Sequence, residues 1–176
     1  MKVIPELKDA IIKFDEARAK GGQELGTIRT DLRNIEHLHH EAKLREFTVT
    51  IDEPEKNGGT NKGPNPFGYF VIGAAACFFN QIAKVTIMNN LKIDTLEMTA
   101  RAHVDLAKPG GHMTDIIYDV RLTGSETKEN LVGMLKEAEG MCFVHQTLKR
   151  AVPLTSNISL NGSDITSHTV GPDNPW

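Results

Sequence analysis

The chain has 176 residues, of which 39% are hydrophobic and 24% are charged, and its formal net charge is −3. This length predicts one domain, large enough to bury a core, because a typical domain holds about 150 residues. The 20 Lys and Arg residues do not exceed the 23 Asp and Glu residues. No basic excess is present to neutralise phosphates, so we expect no nucleic-acid partner. Only two cysteines occur, Cys77 and Cys142, which excludes a disulfide-rich scaffold and a four-cysteine zinc site.

The N-terminal residues do not resemble a secretion signal, because Pro5, Glu6 and Asp9 interrupt any apolar run. The most apolar stretch, residues 67–83, falls short of the ~20 residues that cross a bilayer. It also contains glycine, asparagine and glutamine, which favours a buried helix. We therefore expect a cytoplasmic protein with no membrane partner, a setting in which cysteines are more often reduced or catalytic than structural.

In chain order, apolar residues at helical spacing predict a short amphipathic helix over residues 5–20. An irregular strand or hairpin is predicted over 27–39, and alternation predicts a strand over 44–51. Residues 52–66 are rich in proline and glycine, which predicts turns throughout this segment. A long apolar helix is expected to follow over 67–91.

In the second half, residues 93–106 and 113–122 alternate well and predict a hairpin. Helices are predicted over 127–140 and 142–150, and a final strand over 157–165. Strands come in runs and do not alternate with helices. This order predicts an α+β fold with a mainly antiparallel sheet.

Two patterns suggest binding sites, but each lacks a residue that its site would require. Residues 58–63 are Gly-rich before a helix, but Pro64 stands where a phosphate loop has Lys, so a tight turn is favoured. His37 and His39 share a face if they lie on a strand, which suits a transition metal, but no third ligand accompanies them. We therefore expect neither nucleotide nor metal.

Cys142-x-x-His145 would put both side chains near one helix face. The histidine could then activate a nucleophilic thiol. The alternative is an exposed histidine beside a buried, unreactive cysteine.

Three motifs occur in order: DEPEKNGGTNKGPNP at residues 52–66, AAACFF at 74–79 and EAEGMCFVHQTL at 137–148. Together they resemble the OsmC/Ohr family of osmotically inducible and organic hydroperoxide resistance-like proteins. The resemblance covers roughly residues 44–165, and the spacing of 65 residues between the cysteines fits it.

The resemblance implies an α+β fold in which antiparallel sheets pack around two long central helices in an intertwined homodimer, with active sites at the subunit interface. It also implies one OsmC-like domain over residues 27–170. Residues 1–26 are then a helical extension, and residues 171–176 are a flexible tail.

For chemistry, the resemblance implies a peroxiredoxin-like organic hydroperoxide reductase acting in oxidative stress. The Cys77 thiolate would attack the peroxide and become a sulfenic acid, and Cys142 would condense with it to a disulfide. A lipoyl-type dithiol would reduce that disulfide, and no cofactor is implied. Three aromatic side chains would suit an apolar substrate: Phe67, Phe78 and Phe143.

Burial of Cys77 in an apolar helix would make its thiol a poor nucleophile, so a cation is needed nearby. The family pattern implies an arginine from the N-terminal strands, for which Arg45 is the best match and Arg33 the second choice. A glutamate that follows Asn-Pro would hold it.

The sequence departs from the family at that glutamate, because Asn65-Pro66 is followed by Phe67 and Gly68. Phe143 also replaces the proline that usually follows the second cysteine. Glu53 or Glu55 could substitute for the missing carboxylate. The alternative function is a non-catalytic OsmC-like dimer that binds an apolar small molecule in its interface pocket.

Overall fold

The computed structural model of the chain describes residues 5–21, 26–107 and 111–171. It divides into two compact units. One unit contains the chain up to Ala17 and from Gly73 onward, and the other contains Arg18–Ile72. Each unit has its own sheet.

The sheet of the Arg18–Ile72 unit has three antiparallel strands in sequence order. These are β1 (Asp31–Glu36), β2 (His39–Leu44) and β3 (Phe47–Ile51). Two tight turns join them, at which His37 has φ 47° and Arg45 has φ 55°.

These turns correct one prediction about the N-terminal strands and refine another. The strand predicted over 44–51 begins at Phe47, because Leu44 ends β2 and Arg45 turns the chain in a left-handed conformation. The irregular segment 27–39 is β1 and the turn that follows it. Left-handed backbone at a residue other than glycine has little sequence signature, so alternation alone missed this turn.

Asp52 organises the turn-rich segment that follows β3. Its buried carboxylate accepts hydrogen bonds from the backbone N–H groups of Glu53, Thr60 and Lys62 and from the Thr60 hydroxyl. A Cβ at Gly59 would lie 1.9 Å from the Glu53 carbonyl oxygen, so only glycine fits there. The segment includes a 3₁₀ turn at Glu55–Asn57. These contacts confirm the tight turn predicted ahead of the long helix.

Helix α2 (Pro66–Met88) has 23 residues. Asn65 caps it, since its Oδ1 accepts a hydrogen bond from the Gly68 N–H, and proline is favoured at a first helical position. Within the described residues, α2 is the one helix long and apolar enough to cross a membrane. That is weak evidence, because core helices pass the same test. Only 28% of its most apolar window is buried, so much of its apolar surface stays available for contact.

The second sheet has four strands in the order β4-β5-β6-β7, and two helices separate its halves in sequence. The strands are β4 (Ile93–Asp105), β5 (His112–Gly124), β6 (Leu154–Leu160) and β7 (Ser163–Val170). The helices are α3 (Lys128–Met141) and α4 (Phe143–Leu148). The predicted β4–β5 hairpin and both helices are confirmed, although α4 is shorter than the predicted 142–150.

The C-terminal strands differ from the prediction in one way, and they add one detail to the mainly antiparallel arrangement that was predicted. The final strand predicted over 157–165 is a hairpin of two strands, because Asn161 and Gly162 both adopt positive φ and reverse the chain. Asn-Gly is a strong hairpin signal. In addition, β6 pairs with β5 in parallel, because the intervening helices return the chain to the same edge.

Helix α1 (Pro5–Lys20) confirms the predicted N-terminal helix. It contacts α2 through Lys84, whose Nζ donates to Asp15 at 2.8 Å and lies 6.0 Å from the ring centre of Phe14. Lys8 also donates to Asn90 just beyond α2. Residues 108–110, between the two strands of the predicted hairpin, and the tail residues 172–176 lie outside the described residues.

The main core belongs to the unit that contains the second sheet. It forms where α2 and α3 cover the inner face of that sheet. Its largest fully buried apolar side chains are Phe78, Ile82, Ile116, Tyr118, Leu122, Leu131, Met134, Leu135, Leu154 and Ile158. Both cysteines lie within or against this cluster, which gives them a packed and largely dry setting.

Candidate functional site

The fold brings the two cysteines together from separate elements. Cys77 lies in α2 and Cys142 lies between α3 and α4, and their Sγ atoms are 3.4 Å apart. Both thiols are free. Residues that are 65 positions apart in sequence are therefore close enough to react with each other after a small movement.

The two thiols have different surroundings. Cys142 is 0% exposed, whereas Cys77 is half-buried. Burial raises the pKa of the Cys142 thiol to about 12. The hydrogen bond from the His145 N–H lowers this pKa, whereas the adjacent Cys77 raises it further. Cys142 is therefore a neutral thiol at physiological pH, and Cys77 is the thiol that solutes can reach.

Cys142 is the single non-helical residue between α3 and α4. Its backbone N–H donates to the Glu139 carbonyl oxygen at 3.4 Å and so closes α3. Its Sγ accepts a hydrogen bond from the His145 N–H at 3.4 Å and so caps α4. The position of this sulfur is thus tied to both helices.

His145 is buried, and its ring packs at a tilt against aromatic rings of the core. Its ring centre is 4.7 Å from that of Phe78 and 5.8 Å from that of Tyr118. Burial, helped by the nearby charges of Lys149 and His168, lowers the pKa of His145 to about 4. The prediction of an exposed histidine is therefore wrong, because His145 faces the core. Its hydrogen bond to Cys142 comes from the backbone N–H, and among the described residues neither ring nitrogen has a hydrogen-bond partner.

Tyr118 is a buried neighbour of the thiols that the sequence did not reveal as part of the site. Burial, together with the charges of Cys142 and Cys77, raises the pKa of the Tyr118 hydroxyl well above its usual value. Within the described ranges, that hydroxyl has no hydrogen-bond partner. In the sequence, Tyr118 is marked by its inward position in the alternating pattern of β5. Core residues with a purely structural role occupy the same kind of position, so the pattern does not single it out.

Glu139 is the other residue that sequence reasoning missed. Its side chain is 0% exposed, and the Ser156 hydroxyl donates to Oε1 at 3.0 Å. A signal did exist, because Glu139 continues the apolar stripe of Leu131 and Leu135 at intervals of four residues. An acid at such a position is directed into the core.

The predicted arginines both lie in the Arg18–Ile72 unit. Arg45 is exposed at the β2–β3 turn, with its guanidinium 5.4 Å from the ring centre of Phe47. Arg33 instead forms a 2.8 Å ion pair with Glu41. In the part of the chain that the structure describes, Arg45 has no ion pair. Of the two predicted arginines, it is therefore the one whose guanidinium is not paired with a carboxylate. Its predicted approach to Cys77 stays a prediction.

The three predicted substrate-contacting rings differ in exposure. Phe67 stacks on Phe70 with ring centres 5.9 Å apart, and both rings are partly exposed. Phe143 is 61% exposed at the start of α4, next to Cys142. Phe78 is fully buried against Tyr118 and His145, where it packs the core. Contact of these rings with a substrate stays a prediction.

Among the described residues, neither proposed replacement for the missing carboxylate forms an ion pair with an arginine. The Glu53 carboxylate accepts from Asn57, and Glu55 is exposed in the 3₁₀ turn. The histidine pair suggested for a metal is not on one strand face, because His37 lies in the β1–β2 turn. Among the described residues, no group of three or more His, Cys, Asp or Glu could hold a metal ion.

The family model described as OsmC-like protein matches residues 59–157, which is more than half of the chain. The chain belongs to the OsmC-like protein family. The match spans Cys77, Cys142, Glu139 and Ser156, so the whole thiol site lies within the OsmC-like region. No curated protein matches the sequence.

Solved structures share the OsmC-like fold at low sequence identity. An OsmC-like protein from Mycoplasma pneumoniae is 17% identical to this chain with a TM-score of 0.69. The match covers 78% of this chain and 99% of that one. An organic hydroperoxide resistance protein from Elizabethkingia anophelis, with thiocyanate bound, is 19% identical with a TM-score of 0.65 and coverage of 79% and 99%. These similarities confirm the predicted α+β OsmC-like fold.

A third structure carries a small molecule. It is an organic hydroperoxide resistance protein from Vibrio cholerae with captopril bound in one of its active sites. It is 16% identical to this chain with a TM-score of 0.57, and the match covers 81% of this chain and 97% of the other.

Proposed function

We propose that this OsmC-like protein is a thiol-dependent peroxidase that reduces organic hydroperoxides. The observation that carries the proposal is the pairing of a half-buried Cys77 with a fully buried Cys142, at an Sγ–Sγ distance of 3.4 Å. An accessible thiol can meet the peroxide. A buried thiol at that distance can then resolve the product.

In the proposed reaction, the Cys77 thiolate attacks the outer oxygen of the hydroperoxide. The O–O bond breaks, Cys77 becomes a sulfenic acid, and the alkoxide takes a proton to leave as an alcohol. The Cys142 sulfur then attacks the sulfenic sulfur. A disulfide forms, and the hydroxyl group leaves as water with the thiol proton.

A dithiol of the lipoyl type completes the cycle by thiol–disulfide exchange, so the protein needs no cofactor of its own. Phe67 and Phe143 offer partly exposed rings that suit an apolar hydroperoxide. We place this chemistry in the cytoplasm, where such a dithiol is kept reduced.

Arg45 is our choice for the cation that stabilises the Cys77 thiolate. It is favoured over Arg33 because Arg33 is paired with Glu41. We further propose that the protein acts as a homodimer. The apolar surface that α2 leaves uncovered supports an interface along that helix.

A turnover assay with cumene hydroperoxide and reduced lipoamide tests the proposal. We expect consumption by the native protein, and only background consumption by Cys77→Ser. Cys142→Ser should still form the sulfenic acid, which dimedone traps as a mass adduct on Cys77. Native turnover no faster than that of Cys77→Ser would refute the peroxidase.

A non-catalytic function is the second candidate, and it is favoured by Phe67-Gly68 at the position of the family carboxylate. In this case the dimer would bind an apolar small molecule in its interface pocket. The captopril complex of the Vibrio cholerae protein is a precedent for a small molecule in such a site. Ligand detected by native mass spectrometry, without peroxide turnover and with unchanged affinity in Cys77→Ala, would favour this function.

A further inference from the structure

Glu139 is a fully buried carboxylate that the peroxidase chemistry above does not use. Taking a carboxylate out of water is costly unless other groups donate to it. Its oxygens face three neighbouring elements: Ser156 of β6 donates to Oε1 at 3.0 Å, while the Nε2 atoms of His145 and His168 lie 3.8 Å from Oε1 and Oε2. The side chain therefore bonds the end of α3 to β6 and lies beside histidines of α4 and β7.

The main chain of Glu139 makes contacts of its own around Cys142. Its carbonyl oxygen accepts the Cys142 N–H at 3.4 Å, at the end of α3. The same oxygen accepts the Gln146 side-chain amide at 2.8 Å, which connects it to α4. One residue thus holds both helices that meet at Cys142.

The position of Cys142 matters because the gap between the two sulfurs has to close. A disulfide requires an S–S distance of about 2.05 Å, whereas the free thiols lie 3.4 Å apart. As Cys142 sits between two helices, any shift of α3 or α4 would move its sulfur relative to Cys77. For the bond to form, the two sulfurs must approach each other by little more than an ångström.

We propose that Glu139 is a positioning residue that holds Cys142 within bonding reach of Cys77. The idea rests on the proposed function only in naming Cys142 as the resolving thiol. Glu139 would act on the reaction through the position of Cys142 alone. Its role is to fix the α3–α4 junction against the sheet, which sets the equilibrium between the dithiol and the disulfide.

The test measures that equilibrium in glutathione redox buffers without any hydroperoxide. Oxidised glutathione takes two electrons from the Cys77 and Cys142 thiols, giving the protein disulfide and two reduced glutathione molecules. Acid quenching, alkylation of free thiols and intact mass measurement give the disulfide fraction. We expect Glu139→Ala to lower the equilibrium constant by at least about tenfold, a potential shift of roughly 30 mV.

Glu139→Gln should rescue most of the effect, because its amide oxygen can still accept from Ser156. Its equilibrium constant should stay within about threefold of the native value. The matched control is Glu137→Ala, on the same helix but exposed and bonded to Asn89. This control should leave the constant unchanged.

Ser156→Ala keeps the proposal testable if Glu139→Ala does not fold. It removes only the hydroxyl that donates to the carboxylate, and we expect a smaller decrease in the same direction. Circular dichroism and thermal unfolding establish that each variant is folded. A folded Glu139→Ala or Ser156→Ala with a native equilibrium constant would overturn the proposal, and so would an equal effect of Glu137→Ala.

The two proposals fail in distinguishable ways. If the native protein forms the disulfide with glutathione and yet consumes no hydroperoxide, the peroxidase is refuted and the positioning role stands on the variant data. If hydroperoxide is consumed and Glu139→Ala keeps the native disulfide equilibrium, the positioning role is refuted alone.

Discussion

The Sγ atoms of Cys77 and Cys142 lie 3.4 Å apart, although the two residues come from different helical segments. The separation exceeds the disulfide length of about 2.05 Å by little more than an ångström. Both thiols are therefore reduced and already adjacent. Oxidation requires a local adjustment of the α3–α4 junction and no rearrangement of the fold.

The two thiols should differ in reactivity toward an alkylating reagent. Because the pKa of Cys142 is raised to about 12, little of it is thiolate at neutral pH. We expect iodoacetamide to modify Cys142 more than about tenfold more slowly than Cys77. Peptide mapping over time measures both rates. Unfolding in urea is the control and should make the rates similar, and equal rates in the folded protein would contradict the assignment of Cys77 as the attacking thiol.

Restoring the family carboxylate should increase peroxidase activity. The family pattern has glutamate after Asn-Pro, where this chain has Phe67 at the second position of α2. We expect Phe67→Glu to raise the rate constant for cumene hydroperoxide about tenfold, a barrier lowered by roughly 1.4 kcal/mol, because the carboxylate could hold an arginine beside the attacking thiolate. Phe67→Gln is the control, since it has the same length as glutamate without the charge. Equal rates for the two variants would contradict the prediction that a carboxylate at position 67 holds an arginine near Cys77.

Asp52 should make the stability of the protein depend on pH in the acidic range. The Thr60 hydroxyl, followed by the N–H groups of Lys62, Glu53 and Thr60, lowers the pKa of Asp52 below its usual 3.8 despite burial. A lowered folded-state pKa stabilises the fold above about pH 4, and this contribution is lost as the pH falls below that value.

Asp52→Asn should therefore be less stable than the native protein at neutral pH, and the difference should shrink between about pH 4 and pH 2. Urea unfolding followed by circular dichroism measures the free energy of unfolding at each pH. Asp31→Asn is the control, because Asp31 forms only an exposed ion pair with Arg29 and such pairs contribute little. A difference between Asp52→Asn and the native protein that does not vary with pH would contradict the expected titration.

The apolar surface of α2 should mediate dimer formation. Ile72 lies on this helix and is 53% exposed in the single chain. We expect a dimer in analytical ultracentrifugation, and expect Ile72→Glu to convert it to monomers because a buried charge without a partner is costly. Leu106→Glu is the control, as Leu106 is 83% exposed and lies outside the helices and strands. A native monomer, or a dimeric Ile72→Glu variant, would contradict the proposed interface.

Local sequence patterns predicted most of the elements correctly. The alternation over 93–106 and 113–122 is a long hairpin, and the helical spacing over 127–140 is α3. The predictions failed where the backbone turns at a residue other than glycine, as at Arg45, and where the Asn161-Gly162 turn divides one predicted strand into two. Neither feature leaves a periodic signal in the sequence.

The order and spacing of the motifs are sufficient to identify the family and both cysteines. That was possible because the glycine, proline and cysteine positions are local requirements of turns and of thiol chemistry, and these are visible residue by residue. The asymmetry between the thiols was not visible in this way. Whether a cysteine is buried depends on which side chains from β5, β6 and α3 pack over it.

The sequence by itself determined the family, the elements and the pair of residues that can react, because each depends on neighbours in the chain. The tertiary structure alone decided that the sulfurs lie 3.4 Å apart, that Cys142 is the buried one and that Glu139 is fastened to Ser156. These relationships arise from contacts between segments far apart in sequence. Distance and burial are properties of the packed core, and the local pattern of residues does not encode them.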